Sequence, residues 1–290
     1  MKRILTILLL IITALPVWSQ LTPMKSQYFQ NPYLVNPAMA GFRGVTEVYS
    51  NYSNQWNKIE GAPEMLSFSG SMPINEKASI GVNVINDKAG LMQRTQAMGS
   101  YSYKVPFSAD HSLRFGVSLS WSQDDLNYSL ASGSRANDPE LMRYQNERES
   151  YLDGNFGVAY MGKKLEAQFS YLNLNQRRNG QFSTVDYSTF YSAVSYMIIL
   201  KNDFSVRPLL AYRGVKGYDN QYDIAAEWGI EDLKLYTMYH SNRSFSGGLG
   251  YTYKQQLNIS TLYNTEPVAI RGFTGGVFDI VIGYRFNRKL

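Results

Sequence analysis

Apolar and polar residues alternate along most of this chain, and the alternation limits what the chain can fold into. Over residues 112–122, apolar or aromatic side chains occupy every odd-numbered position, while serine, arginine and glycine occupy the positions between them. A period of two places the two sets on opposite faces of a β-strand. The pattern recurs in many other segments and closes the chain at residues 278–286. The sequence therefore predicts an all-β protein whose strands have one apolar and one polar face.

Residues 1–19 have the organisation of a signal peptide. Lys2 and Arg3 precede an apolar stretch, Pro16 interrupts it, and cleavage is expected after Ser19. The apolar stretch is too short for a comfortable transmembrane helix. The sequence contains no cysteine, which excludes a lipoprotein, a disulfide scaffold and a cysteine-ligated metal centre. We therefore expect the chain to be exported.

Tyrosine and phenylalanine are abundant, with 23 and 14 copies, yet the mean hydropathy is −0.29. Beyond the signal peptide, the sequence predicts no hydrophobic membrane helix. Many aromatic residues without such a helix are typical of outer-membrane barrels, and also of some secreted β-sandwiches, such as sugar-binding domains. Loss of Lys2 and Arg3 lowers the net charge from +5 to +3, so no nucleic-acid partner is expected.

Turn residues and alternation together predict about fourteen strands. Their approximate spans are residues 45–56, 64–73, 77–87, 93–105, 111–123, 151–162, 164–172, 188–199, 203–215, 221–230, 233–241, 244–254, 256–264 and 275–286. The connections after the even-numbered strands are short, and the others are generally longer, except for a tight one near Asn242. Outer-membrane barrels have this arrangement, with short periplasmic turns and longer extracellular loops, whereas sandwiches do not.

The predicted fold is thus a transmembrane antiparallel up-and-down β-barrel, formed by residues 45–290 in the cell outer membrane. Outer-membrane lipid is the expected environment of its apolar faces. An even number of strands returns the chain to the side where the barrel starts, so both termini are expected in the periplasm. Residues 20–44 lack alternation and are predicted to form an extended periplasmic segment ahead of the barrel.

A search for catalytic chemistry returns almost nothing. His111 and His240 lack metal-ligand spacing and are interpreted as polar rim residues, and no serine lies in a nucleophile-elbow context. We predict no enzyme activity, no cofactor and no metal. The charged residues predicted to face the lumen are Arg114, Glu166, Arg207, Arg213, Asp223, Glu227, Asp279 and Arg285. Their carboxylates allow a glycosidase pair, but pairing across a polar lumen is favoured because an inward charge needs water or a partner.

The most specific segment is Gln27-Tyr-Phe-Gln-Asn-Pro-Tyr-Leu-Val-Asn-Pro-Ala-Met-Ala-Gly41. It resembles the entry motif of the PorP/SprF family, outer-membrane proteins of the Bacteroidota type IX secretion and gliding-motility system. The resemblance continues over essentially the whole mature chain. Its matches in the first two predicted extracellular connections and at the adjoining strand ends are Gln55, Trp56, Gly61, Ala62, Pro63, Asn86, Asp87 and Gly90.

The motif has a physical interpretation of its own. Proline at 32 and 37 biases Asn31 and Asn36 toward extended conformations, and Gly41 permits a sharp reversal before the first strand. The segment is expected either inside the lumen or across the periplasmic mouth, and to serve either as a latch that closes the barrel or as a docking site for a partner. The candidate residues for that role are Tyr28, Asn31, Pro32, Asn36, Pro37 and Gly41.

The resemblance implies an accessory outer-membrane component. Some family members resemble parts of the secretion machinery that contact periplasmic ring proteins. Others support export or surface attachment of a large adhesin, often one with a distinctive C-terminal sorting domain. Because the family occurs as multiple paralogues, the partner-specific role is preferred. Two alternatives from other classes are a passive or substrate-specific diffusion channel and an outer-membrane hydrolase.

Overall fold

The structure is a computed structural model that describes residues 26–56, 61–126, 148–175, 188–200, 204–215, 219–266 and 275–286. The predicted signal peptide and most of the two longest predicted loops lie outside these residues. Two 3₁₀ helices, Pro32–Leu34 and Pro37–Met39, precede the strands. The strands are β1 Glu47–Gln55, β2 Glu64–Pro73, β3 Ala78–Ala89, β4 Met92–Pro106, β5 Ser112–Leu126, β6 Arg148–Met161, β7 Leu165–Leu172, β8 Thr189–Tyr196, β9 Ile198–Ile199, β10 Phe204–Val215, β11 Gln221–Ile230, β12 Leu233–His240, β13 Phe245–Tyr253, β14 Leu257–Asn264 and β15 Val277–Arg285.

The strands form one antiparallel sheet that closes on itself. Strands that follow one another in sequence pair, except β8 and β9, and β1 closes the ring by pairing with β15 over nine residue pairs, from Glu47 opposite Arg285 to Gln55 opposite Val277. Strands β8 and β9 both pair with β10, and only Met197 separates them. The two pieces occupy one position in the wall, so the barrel has 14 strands and the predicted fold class is confirmed.

The alternation also has the predicted direction. Along β5, Leu119 is 63% exposed on the outer surface, while the next residue, Ser120, is 1% exposed and faces inward. The outer surface is covered by aliphatic and aromatic side chains in the same way on the other strands. A continuous apolar exterior around a polar interior inverts the arrangement of a soluble protein and suits a lipid environment. No helix within the described ranges is long and apolar enough to span a membrane.

The two ends of the barrel differ. The short-turn rim contains the connections 74–77, 107–111, 162–164, 231–232 and 254–256, and the long-loop rim contains 56–63, 127–147, 173–188 and 265–276. One long-loop connection is shorter than expected, because β3 extends to Ala89 and β4 begins at Met92. Gly90, with φ +61°, supplies the left-handed conformation that such a tight turn needs. The connection near Asn242 is tight, as predicted.

Candidate functional site

Residues 26–44, which we call the plug, lie inside the barrel, and residues 26–41 are buried throughout. The plug is not extended along its length as predicted, since it contains the two 3₁₀ helices. Both helices begin with an Asn-Pro pair. The Asn36 Oδ1 atom accepts a hydrogen bond of 3.0 Å from the Ala38 N–H, and Pro37 has a φ suited to the first helical position. The sequence signal for a helix start was therefore present in the motif and outweighed its extended bias.

The plug crosses much of the length of the lumen. At its start, the Ser26 hydroxyl lies 3.4 Å from Asp279, which is near the long-loop end of β15. At the other end, Gly41 lies against Ser79, close to the short-turn end of β3. The described part of the plug thus runs from the long-loop half of the lumen to the short-turn rim. Of the two expected positions, the structure shows the one inside the lumen.

Tyr28 anchors the first part of the plug. Its hydroxyl donates a hydrogen bond to Asp223, and its ring stacks on Tyr191 with the ring centroids 6.1 Å apart. Arg213 forms an ion pair of 3.2 Å with Asp223 and also lies over the Tyr28 ring. Burial raises the pKa of the Tyr28 hydroxyl well above its usual range, which keeps it protonated as a donor. A neutral donor and a guanidinium thus share one buried carboxylate.

His240 completes this cluster and was misplaced in the sequence interpretation. It is buried in the lumen, with Nδ1 2.6 Å from Asp223 and Nε2 2.7 Å from the Ser246 hydroxyl. The inward row of β12, which contains Tyr236, Met238 and His240, would have revealed this position. His111 does lie exposed at the short-turn rim, as predicted.

The order Ser246–His240–Asp223 is that of a hydrolase triad, but the surroundings are those of a structural network. All three residues are buried, and Asp223 also binds Tyr28 and Arg213. Ser246 lies within the sheet, opposite Met238 on one side and Asn264 on the other. Its backbone is thus engaged in strand pairing and is not arranged as an oxyanion hole beside the hydroxyl. The geometry fits a clamp on Tyr28.

The middle of the plug is held by side chains from the opposite wall. The Asn31 amide donates to the Ser69 hydroxyl at 2.7 Å, and the Tyr33 hydroxyl donates to Ser100 at 2.8 Å. Burial raises the pKa of Tyr33 to about 12, against the opposing effect of the Ser100 hydrogen bond. Asn36 donates to the backbone carbonyl of Val158 at 3.2 Å. The candidate motif residues are therefore brought together against strands β2, β4 and β6.

Arg114 binds the backbone of the plug. Its guanidinium donates to the carbonyls of Ala38 and Ala40 at 2.8 and 2.7 Å, and to the Ser102 hydroxyl at 2.8 Å. On the next side of the wall, the Ser170 hydroxyl donates to the Val35 carbonyl at 2.5 Å. These contacts satisfy carbonyls that the short helices leave without intrahelical donors. Arg114 therefore faces the lumen as predicted, but its partners are carbonyls of the plug.

Three wall glycines make room for the plug. A Cβ atom on Gly116 would lie 2.1 Å from the Ala38 nitrogen, and one on Gly157 would lie 2.0 Å from Asn36 Oδ1. A Cβ atom on Gly81 would lie 2.6 Å from the Tyr33 ring. Glycine inside a strand costs stability unless another group must approach closely, and here the plug makes that approach.

The other predicted lumen charges mostly pair, as expected. Arg207 contacts Glu227 at 3.2 Å, and Arg285 lies 3.6 Å from Glu47. Glu166 is half-buried and accepts a hydrogen bond from Gln168 at 2.6 Å. Among the described residues, no group of three histidine, aspartate or glutamate side chains is arranged to hold a metal ion.

The family-motif residues of the loops gather separately, at the long-loop rim. The backbone N–H of Gln55 donates to the Pro63 carbonyl at 2.9 Å, and that of Gly90 donates to the Gly61 carbonyl at 3.1 Å. The Trp56 indole donates to Glu266 at 2.8 Å. The remaining members are Ala62, which is half-buried, and Asn86 and Asp87 near the end of β3. They join neighbouring connections to one another and do not contribute to the plug contacts described above.

Arg114→Met is expected to loosen the plug. The substitution keeps much of the side-chain volume but leaves two plug carbonyls without their charged donor. We expect a loss of about 2–4 kcal/mol in the free energy that holds the plug in place. Arg114→Lys should lose less, because an ammonium still donates. Hydrogen exchange of the plug amides measures both variants, and equal exchange in the wild type and Arg114→Met would contradict the assigned role.

A closed 14-strand antiparallel barrel with an apolar exterior and a polar lumen defines the class of outer-membrane β-barrel proteins. Residues 17–284 match the family "Type IX secretion system membrane protein PorP/SprF". The chain belongs to this family, and the predicted resemblance is confirmed. No curated protein matches the chain with significant similarity.

Several solved structures are also similar to this chain. The outer-membrane protein Omp33 of Acinetobacter baumannii is 9% identical, with a TM-score of 0.51, and the match covers 83% of this chain and 98% of that one. The KdgM porin is 11% identical with a TM-score of 0.43, over 83% of this chain and 99% of that one. A Rh. blastica porin mutant is 8% identical with a TM-score of 0.38, over the same shares of both chains. At 9% identity, the similarity to Omp33 supports the barrel fold alone.

Proposed function

We propose that this protein is an accessory barrel of type IX secretion which supports the export or cell-surface attachment of a partner protein, such as a large adhesin with a C-terminal sorting domain. The observation that carries the proposal is that the most distinctive segment of the family-like sequence is the plug. Its residues Tyr28, Asn31 and Asn36 are held by side chains and carbonyls on several strands. We propose that the plug is the element through which the barrel is latched and the partner is engaged.

The plug favours this role over a diffusion channel. A channel needs a continuous open lumen, whereas residues 26–41 are buried between opposite walls from β2 to β11. A hydrolase is disfavoured because Ser246 is buried and because Asp223 is already bound to Tyr28 and Arg213. We therefore propose a non-catalytic protein that acts through binding.

The proposed orientation places the short-turn rim in the periplasm and the long loops outside the cell, as is usual for such barrels. The C-terminal strand then ends on the periplasmic side, at Arg285. A periplasmic N-terminus remains a prediction, and the position of Ser26 in the long-loop half of the lumen counts against it. A protease site inserted ahead of Ser26, tested on intact cells, distinguishes the two positions.

Replacing both Asn31 and Asn36 with alanine should reduce surface display of the partner while the barrel still folds. Neither residue lies in a strand, and each loses plug-to-wall hydrogen bonds worth about 1–3 kcal/mol when a buried group is left unsatisfied. The matched control is Asn54→Ala with Asn86→Ala, which changes the same side chains at the long-loop rim. Surface proteomics measures display, and heat-modifiable gel mobility measures folding.

The role itself is tested by deleting the gene. Surface proteomics of the deletion strain should show selective loss of one or a few secreted proteins, restored by the wild-type gene. An unchanged surface proteome, together with a loss of small-solute uptake, would reject the secretion role and support a channel.

A further inference from the structure

A second feature of the lumen lies at the short-turn rim. Four cationic side chains meet there: Arg43 of the plug, Arg207 of β10, Lys234 of β12 and Arg285 of β15. We call this group the cationic vestibule. Its strand residues lie on the inward rows of their strands, near the ends where those strands meet the short turns.

The vestibule is open to solvent, unlike the deeper lumen. The four cationic side chains are between 19% and 29% exposed, whereas the inward Arg213 beside Tyr28 is 4% exposed. Because the vestibule residues point inward, their exposure comes from space inside the barrel mouth. Phe29 of the plug borders this space, since it stacks on Tyr236 and the Arg207 guanidinium lies 4.9 Å from the centroid of its ring.

The charges inside the vestibule do not balance. Glu47 is shared by Arg43 and Arg285, and Glu227 is shared by Arg207 and Lys234, so each buried carboxylate faces two cations. Glu166 across the mouth adds one carboxylate, and Lys104 on the inward row of β4 adds one cation. The Arg207 Nε atom makes no hydrogen bond to the described residues although it is buried. The mouth therefore has a positive electrostatic potential, and the Arg207 Nε–H remains as a hydrogen-bond donor for a ligand.

We propose that the cationic vestibule is a docking site for an acidic polypeptide segment of a partner protein. Carboxylates entering from the short-turn side meet two guanidinium–carboxylate pairs, each with one cation in excess. Arginine and lysine at the border of a pocket attract such a segment and fix its position by charge-assisted hydrogen bonds. This inference deepens the proposed function, because it assigns the chemistry by which the short-turn end recognises its partner.

The test uses the purified full-length barrel in detergent and a fluorescein-labelled octaglutamate peptide, with fluorescence anisotropy as the readout. The variant Lys234→Gln with Arg285→Gln removes one cation from each carboxylate and leaves Arg207 and Arg43 as partners. The matched control, Lys163→Gln with Lys164→Gln, makes the same change in net charge on the exposed turn at the same rim. Gel mobility confirms that every variant is folded.

Wild-type barrel should bind the peptide at low ionic strength and release it as salt is added. The vestibule variant should bind roughly tenfold more weakly, and the turn control should change less than about twofold, as expected when only the former pairs directly with the ligand. Equal weakening in both variants, or no binding by the wild type, would overturn the proposal. Either failure alongside a secretion defect in the deletion strain would leave the proposed function standing.

Discussion

Gly116→Leu should expel the plug from the lumen and leave the barrel wall closed. The new Cβ atom would lie 2.1 Å from the Ala38 nitrogen and 2.3 Å from the Pro37 carbonyl carbon. Both are backbone atoms, so no side-chain rotation relieves the clash. Overpacking of this kind costs about 1–3 kcal/mol even where side chains can move, and here the remainder of the leucine must also be placed. Hydrogen exchange of the amides of residues 28–40 should accelerate strongly.

Gly99→Leu is the matched control for this prediction. Gly99 lies on the neighbouring strand β4 and is exposed on the outer face of the barrel. A Cβ atom at this position meets nothing within 4 Å. Both glycines lie in the pairing of β4 with β5, where Gly99 is opposite Leu119 and Gly116 is opposite Ser102. Slow hydrogen exchange of the plug amides in Gly116→Leu, or equally fast exchange in both variants, would show that the space at Gly116 does not hold the plug in place.

Leu119→Arg should destabilise the whole barrel. Leu119 is near the middle of β5 and is 63% exposed on the outer surface, where a charge would face the centre of the bilayer. The cost of arginine at that depth is about 2–4 kcal/mol. The measurement is reversible urea unfolding of the barrel in lipid vesicles.

Val105→Arg provides the comparison by depth. Val105 also faces outward, at 41% exposure, but lies at the end of β4 beside the short turn. Arginine near the interface costs about 0–1 kcal/mol on the same scale. Equal losses at the two positions would contradict a bilayer-facing exterior, because a soluble surface has no depth dependence.

The wall of the barrel was predictable because apolar side chains of the exterior and polar side chains of the lumen alternate along each strand with a period of two. Leu119 lies on the apolar exterior and Ser120 faces the lumen, so adjacent residues in the sequence show the contrast between the two faces. Strand ends were less accurate, since the tight turn at Gly90 depends on a single positive φ. The interruption at Met197 has no sequence signal that we recognise; there the N–H donates to the Lys164 carbonyl.

The plug was predictable as a distinctive segment but its contacts were not. Its partners are distant in sequence, as in the bond from Tyr28 to Asp223. No periodicity links such residues, so only the closed barrel brings them together. The helix starts at the Asn-Pro pairs and the inward position of His240 were readable from local rules. Gly116 and Gly157 also carried a signal, because glycine within a strand often marks the close approach of another backbone.

The central claim is that the protein fills its own lumen with residues 26–41, and single-channel recording in planar bilayers tests it most directly. The wild-type barrel should insert without large stable conductance steps, and deletion of residues 26–41 should produce them, because the walls of a 14-strand barrel then enclose an open path. Large steps of the same size from the wild type and the deletion variant would contradict the account and identify the protein as an open channel.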